Sequence, residues 1–364
     1  MKKKSGLLIL LCLFIVALLV GCTKKEESKQ TEQTEDKKTT ETRMFADSCG
    51  REVELPGEIQ SVAPTGTPAQ LVLFTACPDK LTGIATEFTE ETEKYLNPKY
   101  VNLPVFGQFY GKNANLNMEA LIAAAPDVIV DIGEAKPTIK EDMDQLQEQL
   151  GIPVVFIEAS MKTMDQTYEK LGDLLNEKED MKKLENYCTE VIQDAAKISA
   201  SIKEEDKPGV YMALGDHGLH TNAKGSFHAE SLDLLGVKNV AEVEVNSKGA
   251  GSEVSFEQVA AWNPEIILTY TEAVYTMITT DPMWKDIEAV KAHKVYKVPT
   301  GPFNYISDPP SVNRMIGIHW LGNLIYPDQY KFEMKEMEDF YQDFYHIKLT
   351  KDQRTEILLH ATVK

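Results

Sequence analysis

Leu184-Glu-Asn-Tyr-Cys-Thr-Glu-Val-Ile-Gln-Asp-Ala-Ala-Lys-Ile-Ser-Ala-Ser-Ile202 carries apolar residues at Leu184, Cys188, Val191, Ala195, Ile198 and Ile202, with Lys, Glu, Gln and Asp between them. That three-to-four spacing is the buried stripe of one α-helix. At about 1.5 Å per residue the run spans roughly 28 Å, enough to cross a small domain. A shorter helical pattern over 164–175 precedes it. Residues 164–206 therefore read as connecting helices, a rigid spine in mid-chain.

The same signal stands once on each side of the spine. Asn117-Met118-Glu119, Leu121, Pro126-Asp127 and Val128-Ile129-Val130 match Ser255-Phe256-Glu257, Val259, Pro264-Glu265 and Ile266-Ile267-Leu268 at identical spacing. Each copy has an N-cap residue, a short helix with Glu in its first turn, a proline that ends it, and a β-branched run fit for a buried parallel strand. Ser255 with Gln258 also fits a capping box. Two such units predict an α/β protein of two Rossmann-like lobes, 44–163 and 207–364, joined by a single long rigid α-helix with a ligand cleft between the lobes.

The start of the chain does not belong to that fold. Lys2 to Lys4, an apolar run from Leu7 to Val20, and the ending Leu19-Val20-Gly21-Cys22 read as a signal peptide over 1–21 that resembles a bacterial lipobox. Cys22 is then the acylated residue, and the expected location is extracytoplasmic, lipid-anchored to the cell membrane. Residues 22–43 are almost wholly polar up to Thr42 and read as a disordered leash. The net charge of −19 argues against nucleic acid or anionic lipid as partner. In the body Cys49, Cys77 and Cys188 are widely spaced, so neither a disulfide framework nor a zinc site is indicated. Pairing of Cys49 with Cys77 is left open, and Cys188 lies on the spine's apolar stripe.

Strands and helices alternate on both sides of the spine, the pattern of a parallel sheet with helices on its faces. In such sheets the loops after the strands' carboxyl ends form the crevice. Here those loops are 107–112, 216–228, 270–277 and 301–308. No nucleophile elbow, phosphate loop or paired zinc-ligand motif is present, and no enzymatic activity, resident cofactor or protein-held metal is expected. Trp262, Trp284 and Trp320 read as packing residues.

Asp47-x-x-Gly50-Arg51 with Val53 and Leu55-Pro56, the repeated Glu-helix-Pro-strand units, the stretch from Trp284 to Pro299, and that from Pro309 through Pro327 resemble the substrate-binding proteins of ABC importers for iron complexes, haem and corrinoids. The resemblance covers nearly the whole body after the leash. It implies a monomer that takes up a small metal chelate, an iron chelate first, in the cleft and delivers it to a permease dimer with its ATPase.

 In such proteins one acidic residue per lobe meets arginines of the permease, and the matching positions are Glu119 and Glu257. Read from the residues alone, both are first-turn charges that complement a helix N-terminus.

Tyr110, His217, His220, His228, Tyr275 and Tyr305 lie in the expected crevice loops, with side chains that can ligate iron or stack on a macrocycle. The chain has only Arg43, Arg51, Arg314 and Arg354, too few cations for a highly anionic siderophore. The stretch from Pro309 to Pro327 is also similar to members that take up molybdate or tungstate. An oxyanion fits Ser311 and Arg314 at a helix start, with Lys112, Asn113, Lys224 and Ser226 as further donors. The iron chelate stands first; a molybdate, tungstate or corrinoid ligand is the alternative, and a chelatase-like enzyme on a similar two-lobed fold is the rival class. A single spanning helix also predicts little closure of the lobes.

Overall fold

The computed structural model describes residues 41–111, 114–246, 251–307 and 309–362. The spine is the helix Lys178–Ser201, whose buried residues are Met181, Leu184, Cys188, Val191 and Ala195. It begins six residues before Leu184, because Asn176 adopts a left-handed conformation (φ 56) that ends the helix Met164–Leu175 and reverses the chain at once. The two helices then pack closely at Gly172, where a Cβ would stand 3.1 Å from the Lys178 Cα. The spine also packs on the helices Glu230–Leu235 and Asn313–Ile325 of the C-terminal half.

Two parallel sheets flank it. One has the strand order Val62–Pro64, Val128–Gly133, Val154–Glu158; the other runs Val295–Lys297, Ile266–Thr269, Gly209–Ala213, Lys238–Asn239. Side chains alternate across each strand. Val128, Val130 and Ile132, like Val210 and Met212, join one core cluster with the spine's Cys188 and Val191. Ile129 faces a separate outer cluster, and Tyr211 with Ala213 another. One face of each sheet thus joins the same core as the spine.

The duplicated unit takes the same form in each lobe. Asn117 caps the helix Met118–Ala124, which ends at left-handed Ala125 (φ 45), and Ser255 caps Phe256–Trp262, which ends at left-handed Asn263 (φ 43). The stop is therefore the residue before the proline. Asp127 Oδ2 accepts the Ser61 amide at 2.9 Å, and Glu265 Oε1 accepts the Gly209 amide at 3.1 Å, so each unit is fastened to the start of the neighbouring strand.

Several local expectations change. Residues 270–277 are not a loop: Thr271 caps the helix Glu272–Thr280. The 216–228 segment holds a short strand, His220–Thr221, antiparallel to Ser252–Glu253. Leu81 and Ile84 form isolated bridges to Val62 and Val105, and short helices form at Glu90–Glu93 and Pro98–Val101. Cys49 and Cys77 are both free thiols, and Cys188 is buried. Trp284 and Trp320 are buried in the core.

The hairpin of Thr42–Ala46 and Glu52–Pro56 turns through Gly50 (φ 76), a conformation that favours glycine. Buried Arg51 ties it to the sheet: its Nη1 donates to Asp47 Oδ2 at 3.0 Å and to the Val154 carbonyl at 2.8 Å, and its Nε donates to Asp144 Oδ1 at 2.7 Å. Removing one partner of a buried pair strands the other. Arg51→Ala is expected to cost about 3–5 kcal/mol in chemical denaturation, and a loss below about 1 kcal/mol would show that the pair does not hold the hairpin.

Candidate ligand-binding cleft

Strand Gly209–Ala213 runs into Leu214 and Gly215, and strand Ile266–Thr269 runs into Tyr270 and Thr271. At these carboxyl ends lies a cavity of about 260 Å³ whose polar lining includes His220, Asn222, His228, Tyr270 and Ser307. His228 Nδ1 lies 2.9 Å from Ser307 Oγ, and Asn222 Nδ2 donates to Ser307 Oγ at 3.4 Å and to the Tyr270 hydroxyl at 3.5 Å. Gly215 (φ +67) allows the His220 ring to approach, since a Cβ there would lie 3.2 Å from its Cγ. Two of the expected crevice residues, His220 and His228, come together here. Asn222, Tyr270 and Ser307 were not singled out from the sequence; the strand ends that carry Tyr270 and the polar loop around Asn222 were the available signals.

The other candidates are placed elsewhere. His217 is exposed and does not line this cavity. Tyr275 stacks on His360 at 4.2 Å, on the side of its helix toward the C-terminal segment. Tyr305 is fully buried with its hydroxyl 3.3 Å from that of Tyr341, and burial pushes its phenol upward. Ser311 Oγ accepts the Asn313 amide at 3.3 Å. Arg314 is buried and donates through Nη1 to Glu230 Oε2 at 2.9 Å and to the Phe227 carbonyl at 3.2 Å, with its guanidinium 4.8 Å over the Phe227 ring. The pair expected to hold an oxyanion is thus engaged within the protein. Lys224 is paired with Glu242 at 2.8 Å, and the Ser226 hydroxyl is buried without a hydrogen-bond partner among the described residues. Lys112, Asn113 and Cys22 lie outside the described residues.

In the N-terminal lobe, Tyr110 donates to Asp142 Oδ2 at 2.7 Å, with the Lys136 ammonium over its ring. Burial, then the Asp142 hydrogen bond, pushes the Tyr110 phenol upward. Asp131, within the central strand Val128–Gly133, is buried and accepts from the Thr65 hydroxyl, and burial raises its carboxyl above the usual range. Glu119 and Glu257 are both exposed in the first turns of their helices. The Glu257 carboxyl is held low by its own amide and by Ser255.

The profile of the Periplasmic binding protein family matches residues 62–301. The chain belongs to that family. This periplasmic-binding-protein chain is similar to an uncharacterized ABC transporter substrate-binding lipoprotein of Bacillus subtilis, at 23% identity over 91% of this chain and 100% of the relative. A molybdate-binding protein of Haemophilus influenzae is 24% identical over 85% of this chain and 93% of its own length. An Fe(3+)-citrate-binding protein of Bacillus subtilis is 22% identical over 80% of this chain and 87% of the relative, and a haem uptake protein of Staphylococcus aureus is 25% identical over 65% and 79%. Among solved structures, an ABC transporter solute binding protein from Sulfurospirillum deleyianum superposes with a TM-score of 0.79 at 29% identity, covering 86% of this chain and 98% of that one. The family is one of solute-binding transport proteins, and among the described residues no helix is long and apolar enough to cross a membrane.

Because the folded state raises the pKa of Asp131, its contribution to stability is present below about pH 4 and is lost as pH rises through the folded value. Asp131→Asn removes that loss. Relative to the parent, the variant is expected to gain stability in thermal melts as pH rises above about 4; a difference that does not change with pH would show that Asp131 is charged in both states.

Proposed function

We propose that this protein is the extracytoplasmic, lipid-anchored substrate-binding component of an ABC importer, and that its cargo is an iron chelate with open coordination positions. The observation that carries the reading is the cavity at the strand ends, where His220 and His228 share one wall system with Ser307 and Asn222. Two imidazoles fall short of the roughly four donors that a bare transition-metal ion takes. A ligand that brings most of its own donors, and leaves one or two positions open, matches that supply. Ser307 orients the His228 ring through Nδ1, the kind of support that ligating histidines receive.

The oxyanion alternative is weakened, because Arg314 Nη1 is committed to Glu230 and the Phe227 carbonyl and Ser311 to its own helix start, while Arg314 Nε is buried without a hydrogen-bond partner among the described residues. The relatives named for ferric citrate and haem agree with the chelate reading, and the one named for molybdate provides the contrast to test. Lipid anchoring through Cys22 follows from the lipobox-like sequence and agrees with the lipoprotein name of the Bacillus subtilis relative.

For docking, Glu119 and Glu257 occupy equivalent first-turn positions of the duplicated units and are exposed, one acidic knob per lobe. Replacing both with Ala is expected to abolish uptake in cells while leaving chelate binding by the protein unchanged; uptake that survives normal binding overturns the docking assignment. Binding itself is tested by thermal shift against haemin, ferric citrate, cobalamin, molybdate and tungstate. At a hundred times its dissociation constant a ligand adds about 2.7 kcal/mol. A shift with an iron chelate, lost in the His220→Ala, His228→Ala double variant, is the expected result, and a shift with molybdate alone would contradict it.

A further inference from the structure

After the helix Asn313–Ile325 the chain does not stay on one lobe. The helix Met334–Phe344 packs on the spine and on the helix Thr67–Ala76 of the N-terminal lobe. The Tyr341 hydroxyl lies 3.3 Å from that of Tyr305, and Tyr345 donates to Asn313 Oδ1, both partners in the C-terminal lobe. His346, in a left-handed turn (φ 57), then donates through Nε2 to the Thr75 carbonyl at 3.2 Å, and Gln353 Nε2 donates to the Lys94 carbonyl at 2.7 Å, both in the N-terminal lobe. Ile357 meets Tyr95 at Gly301, where a Cβ would stand 2.8 Å from the Ile357 Cγ1 and 3.0 Å from the Tyr95 Cζ. The last residues return to the C-terminal lobe: the carbonyls of His360 and Ala361 accept the Lys297 amide at 2.9 Å and the Trp320 indole N–H at 2.8 Å. The segment 334–361 is thus stitched from one lobe to the other and back.

The stitches are unequal. Trp320 and Ala361 are buried, as are Tyr341 and Tyr345. Between 346 and 357, apart from Leu349 and Ile357, the side chains are exposed or half-buried. The ion pair of Lys94 with Glu356, at 3.9 Å, is exposed on both sides and adds little, since the Lys94 ammonium already stands 2.5 Å from Glu91. Gln353 carries more. Its Oε1 accepts the Thr350 amide at 2.8 Å and closes the capping box of the helix Lys351–Ile357, while its Nε2 makes the bridge to Lys94. One side chain therefore starts this helix and fastens it across the lobes. Local opening begins where few buried contacts hold the backbone, and in this segment that is 346–357.

We propose that 334–361 is a strap that holds the two lobes at a set separation, and that the stretch 346–357, seated on Thr75, Lys94 and Tyr95, is its catch, the contact that yields first when the lobes part. The spine joins the lobes once through the chain, and the strap joins them a second time. A lobe turns about the spine only with the catch released. This holds whatever ligand the histidine cavity takes.

The test uses variants that break the catch and spare its helix. Gln353→Glu keeps the acceptor of the capping box and loses the donor to Lys94; His346→Asn suits the left-handed turn and loses the imidazole that reaches Thr75. In the full-length chain in detergent, each is expected to speed amide exchange across Lys351–Ile357 by about fivefold, with the spine unchanged. Spin labels on Lys140→Cys and Lys285→Cys, exposed sites one per lobe in a Cys49→Ser background, then read the separation; Cys77 and Cys188 are buried. The parent is expected to give one narrow distance, and the double variant a broader distribution reaching longer distances. A folded double variant with the parent's distribution overturns the strap, whether or not its exchange is faster. Exchange that rises in Gln353→Ala and not in Gln353→Glu would make Gln353 a helix cap only and overturn the catch.

Discussion

Burial of one helical stripe against the helices Met164–Leu175, Glu230–Leu235 and Asn313–Ile325, which belong to both halves of the body, is the constraint on which the rest of this structure depends. Cys188 and Val191 share a core with Val130 and Val155 of one sheet and with Val210 and Leu268 of the other. A helix of 24 residues packed in this way admits no hinge of its own without breaking that core. The strands Gly209–Ala213 and Ile266–Thr269, whose carboxyl ends line the histidine cavity, are part of that same core. Preorganisation of this kind lowers the ordering cost of binding.

On that frame the two lobes do different things. The C-terminal lobe brings imidazoles, an amide and hydroxyls to its strand ends, while the N-terminal lobe spends its polar residues on its own loops. Its central carboxylate, Asp131, is covered and bonded to Thr65. The two exposed glutamates, by contrast, stand at matched positions of a repeated unit.

Much of this was legible in the sequence because it rests on local rules. The apolar period marked the spine, and Asn117 and Ser255 marked the paired helices as caps, each at the position where the structure places it. The spine's true start was missed because Asn176 reverses the chain by adopting a left-handed conformation within a polar run that has no apolar period. The 270–277 segment was misread since its helix buries only Val274 and Ile278, too little pattern to outweigh its threonines. The site was less legible for a different reason. Arg314 finds Glu230 across 84 positions, and Tyr305 finds Tyr341 across 36, so whether a cation or a phenol faces ligand or core is settled by contacts that no local pattern records.

The most direct test of the account is elemental and mass analysis of the protein recovered, without denaturation, from iron-limited cells of its native organism. The account predicts iron in equimolar amount together with an organic chelator, both released on unfolding. Molybdenum or tungsten in place of iron, or iron with no organic partner, would contradict it.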